Sequence, residues 1–495
     1  MPRKIKNKLA QLLEGIHFKN RRNNALLFIS ICFNIFLFVP VFPQTDSLTS
    51  YLEIAAKNNP TIRQKFYEYQ ASLQKIPQAG ALPDPSLTAG VLVQRMMLVM
   101  GYQIADIRFM QMFPWFGTLK YAKDEMSLMA KAKYETFLDA GFQVFFDVRS
   151  TWYDLYRLKQ DLNISLRNLG ILKTIEQLTI VHYRTADAGG AGESFTPPST
   201  YPSNVQLQNS EAANQAMGSM SGQAGGSAAA PQMQENVMGG SQVKTGLPDL
   251  YRIQIEISNL ENEIELIKNQ QTTETAKFNG FLNRPMQTSV AIPDTLLPDS
   301  MNLKLSIIPD SIIENNSMLA MIRYEQNSID SREKMIKRMG YPMLGAGIDY
   351  TVLSKFGAVN FPGNGQDMIM PMVSLTLPIY RRKYKSMQAE ADNMKAAKIQ
   401  DYAATVNNLQ AEYFQALQLY QDAGRRINLY SYQYLLAKKS LDIMIRSYSV
   451  AAANLTDILL VRQQTHDFEL KKAEAVTDFN TAVARIMRLM SKSQD

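Results

Sequence analysis

The chain has 495 residues, 46% of them apolar and 20% charged, with a formal net charge of +7. Seven basic residues (Arg3, Lys4, Lys6, Lys8, Lys19, Arg21 and Arg22) against Glu14 place +6 of that charge before residue 25, so the remainder is near neutral and offers no footprint for nucleic acid. Cys32 is the only cysteine, so disulfides play no part in the fold.

The basic start is followed by an almost wholly apolar run, Ala25 to Phe42, and then by Gln44-Thr45-Asp46-Ser47. This order reads as a secretory signal over residues 1–44, and the alternative is a retained membrane anchor. Cys32 has no small residue just before it and is no lipoprotein site. Export leaves a mature chain without a thiol.

From Asp46 to about Ala79 apolar residues recur at helical spacing, with Ser47 as a possible cap, a bend at Asn59-Pro60, and an end at Pro77 and Leu82-Pro83-Asp84-Pro85. Two strand-like runs follow, Ser86 to Met97 and about Gln103 to Phe113, joined near Gly101. Residues 117 to about 185 predict a long helix. Residues 188–247 break the pattern, being rich in Gly, Ser, Ala, Pro, Asn and Gln, with Met217, Met220, Met233 and Met238 interspersed. They read as a flexible low-complexity insertion. Helical periodicity returns from Asp249 to about Leu282, and a proline-punctuated linker covers 286–306.

The second half repeats this layout. A helix is expected over Ile312–Met339, strands over Met343–Leu353 and Met368–Leu377 around a Gly-rich loop, and a long helix over Tyr380–Tyr448. Its apolar stripe steps by threes, fours and sevens, and about 68 residues at 1.5 Å each would extend roughly 100 Å. A bend at Ser449 to Thr456 leads into a return helix ending near Met490. A shift of 257 residues lays Asn58-Asn59-Pro60 on Asn315-Asn316-Ser317, Pro85 on Pro342 and Gly90 on Gly347. Phe113-Pro114 then meets Leu377-Pro378, Trp152-Tyr153 falls near Tyr413-Phe414, and His182-Tyr183 near Ser447-Tyr448. Helix, β-hairpin, long helix and return helix thus occur twice, over 45–285 (hairpin 85–113) and 307–495 (hairpin 342–378).

Each strand-like run has the length of a tilted transmembrane strand. Four strands cannot close a barrel, and lipid tolerates no open sheet edge, so several chains would have to share one. Soluble hairpins capping a coiled coil are the other reading.

The stretch from Tyr51 to Pro60 (YLEIAAKNNP), the hairpin flanks Phe113-Pro114 and Leu377-Pro378, and the run from Tyr448 to Leu459 (YSVAAANLTDIL) resemble the TolC family of bacterial outer-membrane efflux proteins. The resemblance covers nearly all of the mature chain. It implies a mainly α protein with a membrane β-barrel, a trimeric α/β barrel in the outer membrane with a long periplasmic extension. It also implies a homotrimer contacting outer-membrane lipid, docked to a periplasmic adaptor and an inner-membrane pump such as an RND transporter. Aspartates narrow the tunnel entrance in that family. By motif position they are Asp249 and Asp457 here, with Tyr448 as a latch residue. Ala451, Ala453 and Leu460 stand where the family carries a glycine, a latch arginine and a second aspartate, which puts a Tyr–Asp–Arg gate in doubt. Helix N-terminal capping is the plainer role for Asp249 and Asp457.

No catalytic motif is present: there is no Walker loop, HExxH or Gly-x-Ser-x-Gly, and His182 and His466 each stand alone, expected at the surface. The chain reads as a non-enzyme without cofactors. Methionine is the unusual count, at 27. Thioether sulfur suits Cu(I), and the resemblance includes a heavy-metal, CusC-like branch. Met96, Met97 and Met100 cluster in one hairpin, and Met368, Met370 and Met372 alternate along another strand. Met217, Met220, Met233 and Met238 have no core to fill and are the metal candidates, although methionine is also an adaptable apolar filler. The expected function is the passive exit duct of a tripartite efflux system, with metal cations as one cargo class and drug efflux or type I protein secretion as others. A membrane-anchored coiled-coil scaffold is the reading from a different class.

Overall fold

The computed structural model describes residues 48–187, 246–299, 307–355, 357, 362–450 and 452–491. Residues 1–44, read as a signal and including Cys32, residues 188–245 with the four methionines of the expected insertion, and Ala451 lie outside the described residues, and the last residue of that expected insertion, Leu247, opens a helix. Helices and strands follow one another in the order α1 (Leu48–Asn58), α2 (Pro60–Gly80), β1 (Ser86–Leu98), β2 (Gly101–Phe113), α3 (Thr118–Asp187) and α4 (Leu247–Leu282). The same order then recurs as α5 (Ile308–Asn315), α6 (Ser317–Met339), β3 (Met343–Ser354), β4 (Met368–Thr376), α7 (Arg381–Ser449) and α8 (Leu455–Leu489). The chain divides into two compact units. The first takes in the chain up to Ile164, Ile264–Gln433 and Asp467 onward; the second comprises Ser165–Glu263 and Tyr434–His466.

The duplication reaches individual hydrogen bonds. Asn59 caps α2: its Oδ1 accepts from the backbone N–H of Thr61 (2.9 Å) and Ile62 (3.2 Å), while its Nδ2 donates to the Phe281 carbonyl at 2.8 Å. Asn316 does the same for α6, accepting from Met318 (2.9 Å) and Leu319 (3.3 Å) and donating to the Leu489 carbonyl at 2.9 Å. An amide side chain supplies, on two separate atoms, an acceptor for the open N-terminal donors and a donor for a carbonyl at the end of a return helix. The helix expected as one piece over Ile312–Met339 is therefore two, α5 and α6, broken at Asn316. Pro77, expected as a terminator, lies inside α2, which continues to Gly80. It falls in the last turn, where little helix remains to be disrupted.

Each repeat has its own apolar core in the first unit. Tyr51, Ile62, Phe137, Leu138, Trp152, Phe278 and Leu282 form one; Ile308, Ile312, Leu319, Leu409, Tyr413 and Ile486 form the other. The described part of the linker carries no helix or strand, and side chains satisfy its backbone instead. Tyr51 Oη accepts from the Ala291 N–H (2.9 Å) and Tyr156 Oη from the Leu296 N–H (3.1 Å), while Lys159 donates to the Ile292 carbonyl at 2.7 Å. Asn480 of α8 holds the end of this segment, accepting from the Asp299 N–H at 2.7 Å.

The four strands form one antiparallel sheet in the order β1-β2-β3-β4. The two hairpins join through β2 and β3, which pair from Tyr102↔Ser354 to Phe113↔Leu344. Within this chain β1 and β4 are edges. Among the described residues no helix is long and apolar enough to cross a membrane, which says nothing of strands.

Candidate functional site

Two places concentrate chemistry, one in each unit. In the second unit, α4 and α8 begin with the acidic residues expected from the sequence. Asp249 lies in the first turn of α4 and its Oδ2 accepts from the Gly246 N–H at 3.4 Å, a carboxylate reaching back to the residue before the helix. Asp457 lies in the first turn of α8 but is exposed, and the cap there is Asn454, whose Oδ1 accepts from the Thr456 N–H at 3.2 Å. The capping expectation therefore describes Asp249 only. At Asp457 the favourable feature is a negative charge at the positive end of a helix.

Tyr448, at the end of α7, is almost completely buried. Its hydroxyl shares a hydrogen bond with Thr179 Oγ1 at 2.8 Å, and its ring stacks at a tilt on His182, 4.9 Å between centroids. Burial pushes the Tyr448 hydroxyl up from its ordinary pKa, and the Asp249 charge pushes it the same way. The Thr179 bond acts in the opposite direction. Further along, Arg462 of α8, with a side chain only 5% exposed, donates to Glu256 of α4 at 3.1 Å, and Arg252 donates to the Thr456 hydroxyl at 3.1 Å. His466, expected at the surface, is buried, because it sits on the face of α8 that also carries Ile458, Leu459 and Arg462. Among the described residues no group of three or more His, Cys, Asp or Glu side chains is placed to share a metal ion.

In the first unit, the sheet register sorts the strand residues onto two faces, since residues directly opposite share a face and neighbours along a strand alternate. One face carries Leu87, Ala89 and Val91 of β1, Ala105, Ile107 and Phe109 of β2, Leu344, Ala346 and Ile348 of β3, and Ile369, Val373 and Leu375 of β4. Its large side chains are exposed, up to 85% at Val373. The other face carries Ser86 and Thr88, Asp106 and Arg108, Asp349 and Thr351, and Ser374. At its centre Arg108 donates to Asp349 Oδ2 through Nε (3.1 Å) and Nη2 (2.9 Å). Apart from Tyr350 and from Gln111, whose amide donates to the Pro83 carbonyl at 2.7 Å, the first face is apolar and exposed; with a charged face behind it, the sheet has the amphipathicity of a barrel wall, lipid outside and water inside.

No family model matches the chain, and no curated protein matches it. Solved structures do. The outer membrane protein VceC of Vibrio cholerae is similar over 90% of this chain and 96% of its own, with a TM-score of 0.66 and 12% identity. A membrane protein of Pseudomonas aeruginosa reaches 0.66 at 14% identity over 90% of each chain. CusC reaches 0.64 at 10% identity, covering 90% of this chain and 92% of that one. The fold is that of the TolC-type outer-membrane channels. At such identities the likeness concerns the backbone, and the side-chain chemistry is this chain's own.

On the TolC fold the expected site residues separate. Tyr448 and Asp249 come close enough for the charge of one to act on the other, and Asp457 stands in the same unit at the start of the other return helix. Met96 and Met97 are adjacent on β1 and so fall on opposite faces, whereas Met368, Met370 and Met372 share the charged face. Met110 and Met112 of β2 lie on that face too and were not singled out in the sequence. Alternation within a single strand shows period, not which face meets water. Only the pairing to Arg108 and Asp349 reveals it.

Proposed function

We propose that this chain is the outer-membrane exit duct of a tripartite efflux system. Three copies would share one barrel of twelve strands, and the chain would conduct passively while an inner-membrane pump of the RND type drives transport through a periplasmic adaptor. The observation that carries this reading is the two-faced sheet with free edges at β1 and β4. In lipid, unpaired backbone groups along those edges would each cost several kcal/mol, on the order of the desolvation of a peptide group. Pairing β1 of one copy with β4 of the next removes every edge. The exposed apolar face argues against the coiled-coil scaffold, because soluble hairpins would have to leave that face in water. The similar structures are named as outer-membrane proteins and channels, which supports the same reading.

In the proposed assembly Asp249 and Asp457 each recur three times near the periplasmic entrance, and such acidic rings favour cations. Metal cations are the cargo class this suggests. Tyr448 contributes to the entrance as a packed helix end bonded to Thr179. Met217, Met220, Met233 and Met238 would serve as a transient soft-metal relay in the insertion, which leucine replacement of all four tests through copper tolerance in cells. The duct itself is tested by extracting the protein in mild detergent and reconstituting it in planar bilayers. A trimer with cation-preferring conductance is expected. A monomer that retains residues 25–42 and conducts nothing overturns the proposal.

A further inference from the structure

Membrane strands need apolar side chains on the face toward lipid, which accounts for Ile369, Val373 and Leu375 without further argument. It does not account for Met110, Met112, Met368, Met370 and Met372, which lie on the opposite face among Ser86, Thr88, Asp106, Arg108, Asp349 and Thr351. Three of them are organised around two glycines. In the register, Gly345 is flanked by Met112 on β2 and Ser374 on β4, and Gly347 by Met110 and Met372. Flanking strands lie about 10 Å apart across a central one. Glycine leaves that interval empty, so long side chains from both flanks can meet over it. Met112 already leans inward: a Cβ at Gly345 would come within 2.7 Å of its sulfur and would overlap Ser374 Oγ. The Ser374 hydroxyl stands 3.6 Å from Met110 Sδ and 3.7 Å from Met112 Sδ, so two sulfurs converge on one point.

We propose that Met110, Met112 and Met372 form a binding site for a soft monovalent cation, Cu(I) or Ag(I), on the charged face of the sheet. The proposal rests on the duct reading only in taking that face to line the water-filled interior. Thioethers are neutral, soft donors that need no deprotonation to bind, and they select Cu(I) over hard cations. Ser374 bonds weakly to two of the sulfurs and holds their side chains inward. One row away, Asp349 is 4% exposed and uses only Oδ2 on Arg108, while its Oδ1 is buried with no hydrogen-bond partner. Paired with Arg108, Asp349 adds no net charge there, and its Oδ1 is an unfilled acceptor one row from the sulfurs. Gly347 has a backbone reason of its own, since a Cβ there would meet the Phe109 carbonyl at 2.6 Å, but at Gly345 the atoms in the way are Met112 Sδ and Ser374 Oγ.

The test uses the full chain in mild detergent with Ag(I) as a redox-inert probe. A competition titration should show binding that weakens at least tenfold in Met110→Leu/Met112→Leu/Met372→Leu. Binding should be unchanged in Met96→Leu/Met97→Leu/Met100→Leu, and the sheet's share should persist when Met217, Met220, Met233 and Met238 are all leucine. In the unsubstituted protein, the methyl resonances of Met110, Met112 and Met372 should shift together with added Ag(I), which holds whether or not the triple variant assembles. No binding, no shift of these three resonances, or loss only with the insertion variant overturns the site. Bilayer conductance is read separately: binding without conductance sinks the duct and leaves the site, and conductance without binding does the reverse.

Discussion

The two repeats agree at the level of single hydrogen bonds in one place and part company in another. Asn59 and Asn316 make the same three bonds, to two helix-start N–H groups and one return-helix carbonyl, 257 residues apart. At the starts of the return helices the repeats differ. Asp249 bonds back to the Gly246 N–H, whereas Asp457 is exposed and Asn454 provides the cap. The strands differ similarly: on the charged face β2 carries Asp106 and Arg108 beside Met110 and Met112, whereas β4, its counterpart, carries Met368, Met370, Met372 and Ser374 and no charge. Backbone donors and acceptors buried in a core must be satisfied in one of very few ways, so both copies use the same residue. Exposed positions carry no such demand, and there the copies are free to diverge.

Asn59→Ala and Asn316→Ala should therefore be equally damaging. Each removes a cap worth about 1 kcal/mol and leaves a buried carbonyl without its donor, for roughly 2–3 kcal/mol in all. Denaturant melts of the two variants check this, and a clear inequality would mean that the repeats are supported differently. Glu256→Ala comes next, in the second unit. It removes a counter-charge from the almost fully buried Arg462, and because the glutamate is 39% exposed the loss should be about 1–2 kcal/mol, read as a lower melting temperature.

A smaller effect separates α3 from the helix starts. Burial holds the carboxyls of Glu125, Asp139, Asp147 and Asp154 above their ordinary pKa range. A raised folded-state value gives stability that is fully present below the ordinary carboxylate range of about 4 and is lost as pH rises through the folded value. These groups therefore cost stability at pH 7, and melting temperature should rise as the pH is lowered toward 5. Asp139→Asn should raise the pH 7 melting temperature, by less than about 1 kcal/mol in stability, and should reduce that pH dependence. The smallest stability effects belong to the divergent positions. Asp457→Ala should cost well under 1 kcal/mol and Asp249→Ala slightly more, while both lower cation selectivity in single-channel recordings. Unchanged selectivity would leave them as helix-start residues only.

Much of the fold was legible because periodicity and punctuation were strong. The long helices were bounded to within a few residues, and so were the strands. What the sequence did not show depends on tertiary partners. The break at Asn316 needs the Leu489 carbonyl to explain it, since Asn315-Asn316-Ser317 contains no proline. Pro77 looked like a stop because nothing local reveals that it falls in a last turn. The linker looked structureless, and its order comes from Tyr51, Tyr156, Lys159 and Asn480, far away in the chain. His466 read as a surface residue until α8 was packed. In the candidate site, motif position pointed to Asp249, Asp457 and Tyr448, while Met110 and Met112 carry no signal within β2, because a face is a property of the sheet, not of one strand.

In the proposed duct one face of this sheet meets lipid and the other meets water. Cys32 is the chain's only cysteine, so single cysteines placed in a Cys32→Ser background report individual positions cleanly. In reconstituted membranes, Thr351→Cys on the charged face should react with a charged, water-soluble thiol reagent and lose conductance on labelling. Val373→Cys on the apolar face should stay unlabelled until detergent is added. Equal labelling of both positions by the water-soluble reagent before detergent would mean that the hairpins stand in water, and would contradict the account.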